Sequence, residues 1–209
     1  MTVWEDIYQE YRKGGKSWAT LSEDVNRDFA SFIKRQVFPI KNALDIGCGD
    51  GKYLKFLHQN GFTISGIDSS PTAIEMTRLN LKEAATLTCT NMFSYKIPPT
   101  MFDLVFSIST IHHGNKSAVG KLLTKIYESL VSKGSVFITL PDLATAKKHN
   151  LALTHRNISQ GTYAPIDGPE RGLAHSFYDK NEVKSLFDKY SQVDISLDEI
   201  GRWIICAQK

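Results

Sequence analysis

The residues best suited to chemistry form a glycine turn at the end of an apolar run. The segment Asn42–Lys52 reads NALDIGCGDGK, so the run stops at Gly47, Gly49 and Gly51. A buried parallel strand that leaves its sheet through a tight turn has this pattern. Helical spacing resumes directly afterwards. We therefore expect the free N–H groups of the turn and the positive N-terminus of the next helix to face a ligand.

The spacing of the glycines favours one ligand over another. A dinucleotide turn, G-x-G-x-x-G, would have its third glycine at position 52, which is Lys52 here. Two acidic residues accompany the turn, Asp45 before it and Asp68 after the apolar segment 62–67. A carboxylate at the end of the second strand can accept hydrogen bonds from ribose hydroxyls. The pattern D-x-G-x-G-x-G with this second acid resembles motif I of the class I S-adenosylmethionine-dependent methyltransferases.

This resemblance implies a fold, a cofactor and an activity. The fold is α/β, a single Rossmann-like, doubly wound, mostly parallel seven-stranded sheet with a terminal antiparallel hairpin and helices on both faces. The cofactor is S-adenosyl-L-methionine, and the enzyme is a transferase that moves its methyl group. The cofactor-binding residues that it implies are Asp45, Gly47, Cys48, Gly49, Asp68, Ser69, Asn91, Met92 and Ser107.

Asn91 follows the predicted third strand, where the family usually has an acidic or amide side chain that reaches the adenine amine. An amide oxygen can accept that hydrogen bond, and Met92 could pack on the adenine face. A residue of this type also suits a turn with no ligand. Both interpretations of Asn91 fit the sequence.

The predicted fourth strand, 102–109, is followed by His112 and His113. In the family this strand end lies beside the sulfonium and the methyl acceptor. A general base and a structural hydrogen-bonding role both fit the two imidazoles. Neighbours in sequence rarely ligate one ion, and no cysteine or carboxylate joins them at ligand spacing, so we expect no metal site.

The elements that must position these residues form one domain in four segments. They are an N-terminal helical cap (1–40), a cofactor-binding core (41–140), a substrate cover (141–178) and a terminal helix with a hairpin (179–209). In the cap, a second helix is predicted with an apolar stripe of Val25, Phe29, Phe32, Ile33 and Val37.

The cover is rich in glycine and proline and has no clear periodicity from about 150 to 178, so we expect an irregular, mobile segment. It follows the carboxyl end of a strand, the edge at which open α/β sheets bind ligands. Candidate substrate-binding residues in the cap and the cover are Tyr11, Trp18, Tyr163, Arg171, His175 and Tyr178. With Arg171 among them, the pocket should prefer a polar acceptor that is neutral or anionic.

The composition of the chain limits the kinds of partner that we expect. The chain has 209 residues, 42% of them hydrophobic, and a net charge of +3 from dispersed basic residues, which gives no support to nucleic acid as a partner. Three separated cysteines favour a reducing cytoplasm, and no apolar run is long enough to cross a membrane. We expect a small-molecule methyl acceptor. Alternatives are an RNA or protein acceptor, a nicotinamide-dependent oxidoreductase and a cofactor-binding protein without turnover, and the oligomeric state stays open.

Overall fold

A computed structural model describes residues 2–15, 25–148 and 154–209 of the chain. The helices are α1 (Val3–Arg12), α2 (Arg27–Arg35), α3 (Lys52–Gln59), α4 (Pro71–Leu81), α5 (Lys116–Ser129), α6 (Leu143–Lys148) and α7 (Lys180–Leu186). The strands are β1 (Asn42–Ile46), β2 (Thr63–Asp68), β3 (Ala85–Cys89), β4 (Phe102–Ser107), β5 (Leu130–Pro141), β6 (His155–Ser159), β7 (Thr162–Pro165), β8 (His175–Ser176), β9 (Gln192–Leu197) and β10 (Arg202–Gln208).

The main sheet has seven strands in the order β3-β2-β1-β4-β5-β10-β9. Strands β1 to β5 pair in parallel, whereas β10 is antiparallel to both β5 and β9. The predicted mostly parallel sheet with a terminal hairpin is therefore confirmed. The strand order reverses between β1 and β4, and ligands of open α/β sheets bind outside the carboxyl ends of the strands at such a point.

Two hydrophobic clusters lie on opposite faces of the sheet. Alternate residues of a strand point to opposite faces, and in β5 Val136 and Ile138 join one cluster while Phe137 joins the other. Helices α5 and α7 cover the first face, and α2, α3 and α4 cover the second. The predicted stripe on α2 holds for Phe29, which is fully buried, but not for Val37, which lies beyond the end of the helix and is 82% exposed.

Three helix starts follow from their capping residues. Ser70 Oγ accepts from the N–H of the third residue of α4 at 3.1 Å, and Asn115 Oδ1 does the same for α5 at 2.8 Å. Asp179 and Glu182 form the reciprocal capping box that begins α7. These side chains satisfy N–H groups that have no partner inside their helices.

The cover segment differs from its prediction. It carries α6 and a separate antiparallel sheet in the order β6-β7-β8 instead of an irregular chain. This sheet is attached to the loop after β4, because Ser176 N donates to His112 O at 3.0 Å and Ser176 Oγ donates to Gly114 O at 2.7 Å. Its strands have two to five residues, which is too short for alternation to stand out from the surrounding glycines and prolines. Among the described helices, none is long and apolar enough to cross a membrane.

Candidate active site

The glycine turn after β1 is tied to β2 by its own backbone. Gly47 and Gly49 have φ values of 85° and 56°, which a residue with a Cβ adopts only under strain. The N–H groups of Gly47 and Cys48 donate to Ile67 O at 2.8 and 3.0 Å, and Gly49 N donates to Asp68 Oδ2 at 3.0 Å. The expectation that these N–H groups are free for a ligand was therefore wrong. The glycines instead allow a ligand to approach the backbone of the turn closely.

Asp68 ends β2 with unused hydrogen-bonding capacity. Its Oδ1 accepts from Ser70 N at 2.9 Å, and its Oδ2 is bonded to the glycine turn. An ionised carboxylate has about four acceptor positions, so the contacts from the turn and from Ser70 still leave it able to accept from hydroxyl groups. Burial raises the pKa of Asp68, and the backbone hydrogen bonds oppose that rise. Asp45 is more deeply buried, at 2% exposed, and burial together with the charge of Asp68 raises its pKa well above the ordinary range.

Two of the predicted cofactor residues have buried side chains that make contacts inside the protein. The Cys48 side chain is buried in the hydrophobic cluster beneath the turn. Ser107 Oγ, fully buried at the end of β4, donates to Ile46 O at 2.8 Å and so joins β4 to β1. Ser69, by contrast, is half-buried directly after β2.

The loop after β3 shows how Asn91 is used. Asn91 Oδ1 accepts from Phe93 N at 2.9 Å, and the Asn91 carbonyl accepts from two following N–H groups. These bonds form a turn, which is one of the two interpretations that the sequence left open for Asn91. Met92 is half-buried and packs against the core, and Thr90 N bonds to Asp68 O at 2.8 Å. The loop therefore lies beside Asp68 at the carboxyl edge.

Helix α1 lies over the glycine turn, and its contribution was not predicted. The Tyr8 hydroxyl is so close to Gly49 that a Cβ on that glycine would overlap it. Burial and then the charge of Asp68 raise the pKa of Tyr8 well above its ordinary value. On the same helix, Glu5 Oε2 accepts from Ser70 Oγ at 2.6 Å and from Thr72 N at 3.0 Å.

Glu5 is held as a carboxylate. Burial by itself would raise its pKa, but hydrogen bonds from Ser70, Thr72 and Gln9 outweigh burial and lower the pKa to about 2. Glu5 and Tyr8 are three residues apart and so share one helix face, a signal that the sequence carried. The predicted Tyr11 is half-buried at the end of α1, and Trp18 lies outside the described residues.

Three histidines meet at the end of β4. The ring centroids of His112 and His113 are 4.0 Å apart, and that of His175 is 5.7 and 4.8 Å from them. Trp4 of α1 packs edge-on against His113 at 4.7 Å. His175, from β8, also contacts Glu170, with Nε2 2.9 Å from Oε2. We refer to the three histidines as the histidine cluster.

Burial keeps two members of the cluster uncharged. It lowers the pKa of His113 to about 3, with a further contribution from His175, and lowers the pKa of His112 well below its ordinary range, with a contribution from His113. Both imidazoles are therefore neutral near pH 7 and can accept or donate hydrogen bonds. A general base that titrates near pH 6.5 does not fit this burial.

The other predicted substrate residues are dispersed. Tyr163 is half-buried and packs edge-on against Phe177 at 5.8 Å, and Arg171 is exposed. Tyr178 is 1% exposed within the hydrophobic core, with Lys116 Nζ 5.0 Å from its ring centroid. Only His175 of the predicted cover residues joins the histidines after β4.

Comparison with known proteins agrees with this geometry. Residues 43–134 match the model of the methyltransferase domain family. An uncharacterised methyltransferase of Synechocystis sp. is 26% identical over 103 residues, 48% of this chain and 47% of that protein. The EEF1A lysine methyltransferase 2 of Mus musculus is 36% identical over 81 residues, 35% of this chain and 33% of that one. The chain thus spans less than half the length of these curated relatives.

The fold also has solved counterparts. A 1,6-didemethyltoxoflavin-N1-methyltransferase of Burkholderia thailandensis, solved with 1,6-didemethyltoxoflavin and S-adenosylhomocysteine, superposes with a TM-score of 0.72 at 16% identity. The match covers 99% of this chain and 87% of that chain. Residues 43–134 therefore match a methyltransferase domain, and the fold of the chain is that of solved S-adenosylmethionine-dependent methyltransferases, as the glycine and aspartate pattern predicted. The family match and the neighbour solved with S-adenosylhomocysteine support S-adenosylmethionine as the cofactor.

Proposed function

We propose that the chain transfers a methyl group from S-adenosylmethionine to a small polar molecule held beside the histidine cluster. Asp68 accepts hydrogen bonds from the ribose hydroxyls, and the backbone at Gly49 approaches the methionine part of the cofactor under the Tyr8 hydroxyl. The loop 108–115 then borders the sulfonium on one side and the acceptor on the other. Methyl transfer is an in-line displacement, so alignment of the two reactants is the main demand on the protein.

The small-molecule assignment rests on two segments, α1 and the small sheet with β8, which both cover the loop after β4. On one side, Trp4 of α1 packs against His113. On the other side, Ser176 of β8 bonds to the His112 and Gly114 carbonyls. Two covers on one loop leave room for a compact acceptor more readily than for a folded protein or a nucleic acid. The neutral imidazoles supply hydrogen bonds without repelling either a neutral or an anionic group.

The two covers correspond to the proposed segments 1–40 and 141–178, which flank the core 41–140 and are followed by the terminal segment 179–209. The 1,6-didemethyltoxoflavin-N1-methyltransferase, which was solved with 1,6-didemethyltoxoflavin bound, aligns with 99% of this chain. A cytoplasmic setting is consistent with three free cysteines, Cys48, Cys89 and Cys206.

A transfer experiment tests the acceptor class. The full chain is incubated with methyl-labelled S-adenosylmethionine and a cell extract, which is then separated into a low-mass filtrate and a retained macromolecular fraction. We expect enzyme-dependent label in the filtrate, and an Asp68→Asn variant should strongly reduce it. Label that stays with protein or RNA would contradict the small-molecule proposal while leaving methyl transfer intact.

A protein lysine is the second candidate. Its support is the 36% identity to a lysine methyltransferase, although that match covers about a third of each chain. A lysine acceptor would need an open channel above the histidine cluster. Label that is already in the filtrate and is unaffected by protease supports the small-molecule acceptor. Label that protease releases from the retained fraction supports a protein lysine.

A further inference from the structure

The histidine cluster is suited to a second kind of ligand. Within the described ranges, His112, His113 and His175 form a group in which one potential ligand atom from each side chain lies within 4.8 Å of the others. The sequence-based expectation of no metal site rested on the lack of a third ligand near the adjacent pair. The fold supplies that ligand from β8.

Two of the imidazoles are already oriented as metal ligands usually are. His113 Nδ1 lies 2.8 Å from Thr110 O, and His175 Nδ1 lies 3.0 Å from Leu173 O. A carbonyl can only accept, so Nδ1 of each ring carries a proton and Nε2 is the nitrogen left to bind a metal. In His175 that Nε2 lies 2.9 Å from a carboxylate oxygen of Glu170, so a metal ion bound there would replace the proton shared with the carboxylate. Histidines that bind metals almost always donate their second ring N–H to a carbonyl or a carboxylate in this way.

The third imidazole carries an unsatisfied nitrogen. His112 Nδ1 is buried and has no hydrogen-bond partner among the described residues. Buried polar atoms without a partner are uncommon because each costs free energy. The His112 and His113 rings lie on the same side of their turn at 38° to each other. Adjacency in sequence therefore does not separate them in space.

We propose that His112, His113 and His175 bind a divalent transition-metal ion of the zinc type. Three imidazole nitrogens suit Zn²⁺, Ni²⁺, Cu²⁺ or Fe²⁺ better than Mg²⁺ or Ca²⁺, which prefer oxygen. Around a tetrahedral Zn²⁺ the ligand nitrogens stand about 3.3 Å apart, so the separations between the rings shorten by at most about 1.5 Å. The Glu170 carboxylate, 2.9 Å from His175 Nε2, is placed to supply a fourth donor to the same ion.

The test measures metal binding and needs no methyl acceptor. The full chain is stripped with a chelator and titrated with Zn²⁺ by calorimetry and with Co²⁺ by absorption spectroscopy. We expect one ion per chain, and His113→Gln and His175→Gln should each weaken Zn²⁺ binding by about 100-fold. His58→Gln, an exposed substitution on α3, is the matched control and should bind like the parent. Absence of binding, or equal affinity in the parent and both cluster variants, would overturn the proposal.

A second measurement avoids the question of whether the variants fold. Crystals of the parent protein grown with Zn²⁺ should show an anomalous scattering peak among the three rings at the zinc absorption edge, and excess Mg²⁺ should not displace it. A peak that lies only on surface residues, or at another pair of histidines, would be evidence against the site.

Discussion

The glycine turn and the histidine cluster lie at the same edge of the sheet but are built differently. At the turn, Gly47, Gly49 and Asp68 come from two neighbouring parallel strands and are bonded to one another through the backbone. The cluster takes His113 from the loop after β4 and His175 from a separate small sheet. The turn is acidic and uses its backbone N–H groups internally, whereas in the cluster His112 and His113 are neutral and His112 Nδ1 has no hydrogen-bond partner among the described residues.

This difference separates what the class requires from what the individual protein adds. In the proposed function, the turn and Asp68 bind the ribose and the methionine part of S-adenosylmethionine, which every reaction of this cofactor shares. The acceptor, which varies between enzymes, would lie against α1, the loop after β4 and the cover. Variants at the turn should therefore abolish cofactor binding, whereas variants at the covers should reduce it without abolishing it.

The largest effect is expected for Gly49→Val. The new side chain would overlap the Tyr8 hydroxyl and would sit at a φ of 56°, so we expect a loss of stability on the order of 3 kcal/mol and no measurable cofactor binding. Calorimetry with S-adenosylhomocysteine and thermal unfolding measure both.

Gly61→Val is the matched control. Gly61 has a φ of 81°, but its nearest neighbour for an added Cβ is the flexible end of Lys41 at 3.6 Å. Backbone strain should lower its stability while cofactor affinity stays unchanged. Equal affinity in the parent and in Gly49→Val would show that the turn is not the cofactor site.

An intermediate effect is expected for Asp68→Asn. The amide keeps the shape of the side chain but loses the charge that strengthens two hydrogen bonds from the ribose, so affinity should fall by about 2–4 kcal/mol, or roughly 30- to 1000-fold. Asp103→Asn is the control, because Asp103 is also buried but accepts hydrogen bonds from Ile40 N and Asn42 N at the start of β1. It should reduce stability only, and the same loss of affinity in both variants would refute a specific role for Asp68.

The smallest effect is expected for Glu5→Gln, which weakens the attachment of α1. The folded pKa of Glu5, about 2, lies below its ordinary value of 4.5. Its contribution to stability should therefore be complete above about pH 4.5 and disappear as the pH falls through 2. We expect the variant to lose about 1–3 kcal/mol at pH 7 and to show a flatter dependence on pH in this window.

Glu10→Gln serves as the comparison for Glu5, since the Glu10 carboxylate and its partner Lys13 are each 70% exposed. Exposed ion pairs contribute little, so its unfolding free energy should change by less than about 0.5 kcal/mol. If the two variants unfold alike from pH 2 to 7, α1 is not held by Glu5.

The sequence predicted the parts of the molecule that are determined by a few neighbouring residues. The apolar run of β1, the glycine spacing and the acid at Asp68 each reside within a few consecutive residues, and all appear in the structure. The approach of Tyr8 to Gly49 depends instead on how α1 packs against α4, which no short pattern records.

The cover and the histidine cluster were the hardest parts to predict. Strands β6 to β8 are short, and they are stabilised by one another and by the loop after β4 rather than by a long apolar face. Tyr178 was predicted as a pocket residue because it lies in the glycine- and proline-rich cover, yet its ring is buried in the core beside Lys116 at the start of α5. Only the three-dimensional path of the chain places His175 beside His113.

A crystal structure of the full chain with S-adenosylhomocysteine would test the cofactor site most directly. We expect ribose hydroxyls within hydrogen-bonding distance of Asp68 and the methionine part against Gly47 and Gly49 under Tyr8. The sulfur should face the loop that carries His112 and His113. A ligand bound away from the carboxyl ends of β1 and β2, or one that makes no contact with Asp68, would contradict it.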